Sequence, residues 1–138
     1  MTQRKEPFGK AGKITYWIST IWLSLGMLST GIIQVLHLEA ETEFILDLGY
    51  PVYFLTILGV WKILGVVAIL IPKFPILKEW AYAGFFFCMS GAIYSHLTMK
   101  EPFSAVVPAL LLLFLTMVSW YFRPEAKKFV SLERVATA

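Results

Sequence analysis

The chain has 138 residues, of which 58% are hydrophobic, and its mean hydropathy is +0.71. A soluble domain of this length buries too small a share of its surface to hide so many apolar side chains, so lipid is the expected solvent. The net charge of +3 does not indicate nucleic-acid binding, because the basic residues are confined to particular loops and form no continuous face. A single cysteine, Cys88, excludes an intramolecular disulfide and a CxxC redox pair.

Four apolar segments approach or reach the length of about 20 helical residues that crosses a bilayer. They are residues 14–36, 53–71, 80–97 and 103–122. The stretches between them contain acidic residues, prolines or lysines and are not expected in the membrane interior. Because most connections are short, the sequence predicts an all-α integral membrane protein in which residues 1–124 form one antiparallel four-helix bundle. Residues 125–138 are predicted to be a tail. The longest loop, residues 38–50, is expected to extend the first helix outward and then lie along the interface.

The basic residues predict the orientation. If the N-terminus is cytoplasmic, ten Lys and Arg residues lie on that side of the membrane and Lys100 alone lies on the other. The ten are Arg4, Lys5, Lys10, Lys13, Lys73, Lys78, Arg123, Lys127, Lys128 and Arg134. The positive-inside rule then places both termini and the tail in the cytoplasm, and we expect a multi-pass protein of a bacterial-type inner (plasma) membrane.

Lys62 lies in the middle of the second predicted span. Twelve Leu, Ile, Val and Phe residues of that span contribute about −0.3 to −0.6 kcal/mol each to insertion, which outweighs roughly +2.5 to +3.5 kcal/mol for a central lysine. The span is therefore expected to insert. Three interpretations of Lys62 stay open: a cation that binds an anionic or carbonyl-bearing ligand, a structural ion-pair or hydrogen-bond partner, and a side chain that snorkels to water.

Polar residues on neighbouring spans fall at a similar depth. Thr30, Gln34 and His37 are spaced i, i+4 and i+7, which places them on one face of the first helix. Tyr94 and His96 lie at the outer end of the third span. Lys62 is roughly 13 Å below the outer start of its span at 1.5 Å per residue. The sequence thus predicts a ligand-binding pocket that is open to the outer side and formed by Lys62, His96, Gln34, His37, Thr30 and Tyr94.

Other residues indicate packing. Two histidines and scattered acids lack the spacing of a metal site, and Cys88 is expected to pack as a small hydrophobe. Pairs of small residues four apart, in which Gly26, Gly84 and Gly91 come first, are expected to let helices approach each other. Gly59 and Gly65 flank Lys62 and predict a close neighbouring helix.

Several stretches resemble the DoxX-like family of small four-span membrane proteins. They are LGYPVYFLTILGVWKILGVVAILIP (residues 48–72), LKEWAYAGFFFCMSGAIYSHL (77–97) and SWYFRP (119–124). The resemblance covers about residues 14–124, and in it Lys62 and His96 match the family's polar positions. Many relatives end their first helix with Gly-x-x-Lys-Leu, where this chain has Gln34 in place of the lysine.

The resemblance implies two functions. The family name comes from a subunit of a quinone-linked thiosulfate oxidoreductase, which implies a small membrane subunit of a redox system with a quinone near Lys62. Nothing in the sequence carries electrons, so this function requires a redox partner protein or a bound cofactor; a homo-oligomer is a further expectation. The alternative is a non-enzymatic membrane protein that binds a lipid or small ligand, or assists the assembly of a partner, as animal relatives do.

Overall fold

The computed structural model of the chain describes residues 9–124. Within this range the chain forms five α-helices joined by turns, and it forms no strand. The helices are α1 (Gly9–Val35), α2 (Glu39–Asp47), α3 (Tyr53–Leu70), α4 (Pro75–Thr98) and α5 (Phe103–Tyr121). The predicted all-α fold is confirmed for these residues. The predicted tail, residues 125–138, lies outside them.

The loop after the first helix differs from the expectation. α1 ends at Val35 and does not continue into the loop, because His37 adopts a left-handed conformation with φ 53° that interrupts the helix. A separate short helix, α2, then begins at Glu39. Its first turn carries Glu39 and Glu41, whose negative charges are favoured at a helix N-terminus. The chain therefore turns at this point.

Prolines mark the ends of the longer helices. Ile71 precedes Pro72 and is extended, with ψ 144°, because a residue before proline disfavours the helical conformation. Pro75 occupies the first turn of α4, where its missing N–H costs nothing. Pro102 is the N-cap residue of α5. The connections between α3, α4 and α5 are consequently short.

The four long helices pack around a shared core. α1 contacts α3 and α5, and α4 also contacts α3 and α5, so the contacts form a closed ring. The central cluster contains Leu23, Met27, Val66, Ile69, Tyr82, Phe85, Met89, Leu112 and Leu115. Large apolar side chains also cover the outward faces, as on α1 at Ile18, Trp22 and Leu25. Such outward faces fit contact with lipid.

Three helices within residues 9–124 are long and apolar enough to cross a membrane, namely α1, α3 and α5. The predicted third span lies in α4, which has 24 residues but is not among the three. Glycine, serine, tyrosine and histidine residues are interspersed along α4 and lower its hydropathy.

Glycines set the spacing between helices. A Cβ atom at Gly59 would lie 2.6 Å from the carbonyl oxygen of Gly31, so α1 and α3 touch through their backbones. At Gly65 a Cβ atom would lie 2.6 Å from the Phe85 ring of α4. The predicted close approach beside Lys62 is therefore present. Gly84 and Gly91 differ, because no atom lies within 4 Å of a Cβ atom built there.

Buried hydroxyl groups join three of the helices. The Thr20 and Tyr82 hydroxyls lie 2.6 and 2.7 Å from the Ser119 hydroxyl, which links α1, α4 and α5. Arg123 stacks over the Tyr82 ring and pairs with the Glu79 carboxylate. Buried hydroxyls need such partners, because an unpaired polar group away from water is costly.

Lys78 closes the end of α3. Its side chain is fully buried, and its Nζ atom donates hydrogen bonds of 3.0 Å to the carbonyl oxygens of Ala68 and Ile69 and a further one to Ile71. The last carbonyls of a helix lack partners within the helix, and a positive charge is favoured there. Lys78 is thus a structural lysine.

We expect Lys78→Met to lower the free energy of unfolding by about 2–3 kcal/mol, because hydrogen bonds to a charged group are lost from buried carbonyls. The measurement is a denaturant titration in detergent micelles, followed by tryptophan fluorescence. Lys73→Met is the control, since Lys73 is exposed in the turn before α4 and its replacement should change stability by less than about 0.5 kcal/mol. Equal effects of the two substitutions would contradict the capping role.

Candidate functional site

A cavity of about 720 Å³ lies beside the C-terminal half of α4. Residues of all five helices contribute to its wall. Much of the wall is apolar, and α5 contributes small residues such as Ala105 and Ala109. The polar side chains of the wall are Thr30, Gln34, Glu41, Tyr50, Tyr94, Ser95, His96, Lys62 and Glu101. An apolar cavity with a few polar groups is typical of small-molecule sites.

Lys62 is the buried cation of this cavity. Its side chain is only 6% exposed, and a Cβ atom at Gly31 would lie 3.2 Å from the Lys62 Cβ, so α1 packs against the base of the lysine. The Nζ atom donates one long hydrogen bond, of 3.4 Å, to the Thr30 hydroxyl. An ammonium group has three N–H donors. Within residues 9–124, the Thr30 hydroxyl is the one acceptor that is hydrogen-bonded to the Lys62 Nζ atom. Lys62 therefore retains donor capacity for a ligand or water.

Gln34 provides an acceptor on the same wall. Its Nε2 atom donates a 3.2 Å hydrogen bond to the Glu41 carboxylate, which fixes the orientation of the amide. The Oε1 atom is buried, and no hydrogen-bond donor within the described part of the chain reaches it. A buried acceptor without a partner costs free energy, so this oxygen is a natural contact for a donor on a ligand.

His96 and Glu101 form a pair at the C-terminal end of α4. The Nδ1 atom of His96 is hydrogen-bonded to the Glu101 carboxylate, and the imidazole stacks on the Phe44 ring with centroids 4.7 Å apart. Lys100, with φ 56°, makes the turn that brings Glu101 back toward the helix. A carboxylate on one ring nitrogen fixes the orientation of the imidazole, so the other nitrogen is available for proton transfer.

Comparison with protein families identifies the chain. The model of the DoxX-like family matches residues 18–119, which is most of the sequence and includes α2, α3 and α4 together with most of α1 and α5. The chain belongs to the DoxX-like family. Curated proteins and solved structures gave no match. Family membership together with the apolar helices α1, α3 and α5 makes this DoxX-like chain a membrane protein.

Most of the residues predicted from the sequence of this DoxX-like protein meet at one cavity. Lys62, Gln34, Thr30, Tyr94 and His96 all line it. His37 does not line it: its Nε2 atom lies 2.7 Å from the Thr56 hydroxyl, and its side chain is exposed. The reason is local, because the helical spacing that would place His37 beside Gln34 ends at Val35.

Several further residues of the DoxX-like chain line the cavity without having been predicted as site residues, and they include Glu41, Glu101 and Cys88. Glu41 lies in the separate helix α2, and its carboxylate accepts the hydrogen bond from Gln34 of α1. Cys88 packs against the core as expected, and it also lines the cavity that contains Lys62.

Proposed function

We propose that all four long helices of this DoxX-like protein cross the membrane as an antiparallel bundle with both termini cytoplasmic, in a bacterial-type inner membrane. The closed ring of contacts supports a common orientation for α4 and its neighbours, and residues 80–97 of α4 contain no Lys, Arg, Asp or Glu. The distribution of basic residues supports the direction. A reporter fused after Ala138 is expected to be active in the cytoplasm, and activity on the other side of the membrane would contradict this topology.

We further propose that the cavity beside Lys62 binds the headgroup of a quinone and that the protein is a small subunit of a membrane redox system. The supporting observation is the buried, incompletely bonded ammonium group of Lys62 in an otherwise largely apolar cavity. A quinone carbonyl accepts a hydrogen bond, which Lys62 can donate. The reduced quinol donates hydrogen bonds, and the unpaired Oε1 atom of Gln34 can accept one. One wall could thus bind both redox states.

The His96–Glu101 pair supports proton transfer at this site. Reduction of a quinone to a quinol takes up two electrons and two protons, and an imidazole held by a carboxylate can supply a proton. No group of three or more metal-ligating side chains occurs within residues 9–124. We assign the electrons to a redox partner protein and the binding and proton steps to this chain.

The test is to purify the protein with its native lipids and to measure quinone by extraction and absorbance. We expect quinone to co-purify in a fixed ratio to protein, because an occupied site retains ligand through detergent washing. A protein without quinone that retains partner proteins or a lipid would instead favour the non-enzymatic alternative, in which the cavity binds a lipid or small ligand or the chain assists assembly. The control is the Lys73→Met variant, which changes an exposed lysine and is purified in the same way. Its quinone content should equal that of the wild type.

A further inference from the structure

A second hollow lies along the outside of the helices. It is an apolar groove of about 660 Å³ between α4 and α5. The groove follows the N-terminal half of α4 and the C-terminal half of α5, whereas the cavity follows the other half of each helix. Its wall includes Tyr82, Ala83, Phe86, Phe87, Phe114 and Met117. Its polar groups are few and include Glu79 and Trp120 near the helix ends.

The groove and the cavity meet at Phe87. This side chain forms part of both walls and is 70% exposed. Gly84 and Gly91 lie on either side of it, three residues before and four residues after, and no atom lies within 4 Å of a Cβ atom built on either glycine. The surface of α4 is therefore open around the point where the two hollows adjoin.

We propose that one amphiphile occupies both hollows, with its quinone headgroup in the cavity and its hydrocarbon tail in the α4–α5 groove. This inference rests on the proposed function and adds the ligand class, a long-tailed lipid-soluble quinone. From Ser95 in the cavity to Ala83 in the groove, α4 advances about 18 Å at 1.5 Å per residue. A headgroup without a tail cannot span that length. The apolar wall suits a hydrocarbon tail and offers almost no polar group to a charged partner.

The test compares quinones that share one headgroup and differ in tail: none, a short alkyl tail and a long isoprenoid tail. Ala83→Trp fills the groove from an exposed position without entering the cavity. In lipid nanodiscs this variant is expected to bind the long-tailed quinone about fivefold more weakly, a modest effect because the tail can move into equally apolar lipid. Binding of the tail-less quinone is expected to be unchanged. Leu64→Trp is the control, since Leu64 is exposed on α3 and lines neither hollow.

A labelling experiment tests the wild-type protein directly. A quinone that carries a photoreactive diazirine at the end of a long tail is expected to label Phe86, Phe114 or Met117. Labels spread equally over exposed residues of other helices, such as Ile18 and Leu64, would overturn the tail site while leaving the headgroup site intact. Failure of every quinone to bind would instead overturn the proposed function and this inference together.

Discussion

Replacing Lys62 with methionine is expected to weaken quinone binding about tenfold to a hundredfold, which is the loss of one hydrogen bond from a charged group. Methionine is similar in length and fills the same buried space without the ammonium. Because burying a charge is costly and the Thr30 hydroxyl is a distant partner at 3.4 Å, the variant should be at least as stable as the wild type. The measurements are the quinone content after purification and a denaturant titration of the same sample.

Two comparisons make this result specific. Lys73→Met removes a lysine that is exposed in a turn and should leave the quinone content unchanged. Gln34→Leu removes the unpaired amide oxygen and should weaken quinol binding more than quinone binding, because only the quinol has a hydrogen to donate. If Lys62→Met keeps its quinone, the cavity is not the site. If the variant unfolds, Lys62 is a structural partner, the second interpretation that the sequence leaves open.

The features that could be predicted from the sequence are those that depend on regular helices. Lys62 and its flanking glycines lie on one helix, so their relation to a neighbouring helix follows from the helical repeat. Thr30 and Gln34 share a face of α1 for the same reason, and both line the cavity with Lys62. Hydropathy likewise identifies α1, α3 and α5 as helices that are apolar enough to cross a membrane. It does not do so for α4, which is interrupted by small and polar residues.

The features that could not be predicted depend on turns. His37 and Lys100 both have positive φ angles, at 53° and 56°, although neither is glycine or asparagine. Ordinary turn signals do not identify such positions, because the left-handed conformation is uncommon for residues other than glycine. The first of these turns moves His37 away from the cavity, and the second brings Glu101 to His96. The contribution of Glu101 to the site, and the displacement of His37 from it, thus depend on these turns.

Replacing Gly59 with alanine is expected to lower the free energy of unfolding by about 1–3 kcal/mol, the usual cost of overpacking a tight contact. The new Cβ atom would lie 2.6 Å from the carbonyl oxygen of Gly31 and 3.0 Å from the backbone nitrogen of Val35. Backbone atoms cannot rotate away as a flexible side chain can, so α1 must move from α3. Since Lys62 packs against Gly31, quinone content should fall as well. A denaturant titration measures the first effect and extraction measures the second.

Gly84→Ala is the matched control for Gly59→Ala, because it makes the same change in an open part of a helix. No atom lies within 4 Å of the new Cβ atom, and alanine has the higher helix propensity, so stability should rise by about 0.5–1 kcal/mol. Opposite signs for the two substitutions would show that backbone contact, and not helix propensity, governs the α1–α3 interface. A gain of stability in Gly59→Ala would mean that α1 and α3 lie farther apart in the membrane, and the cavity beside Lys62 would then be wider than its wall residues imply.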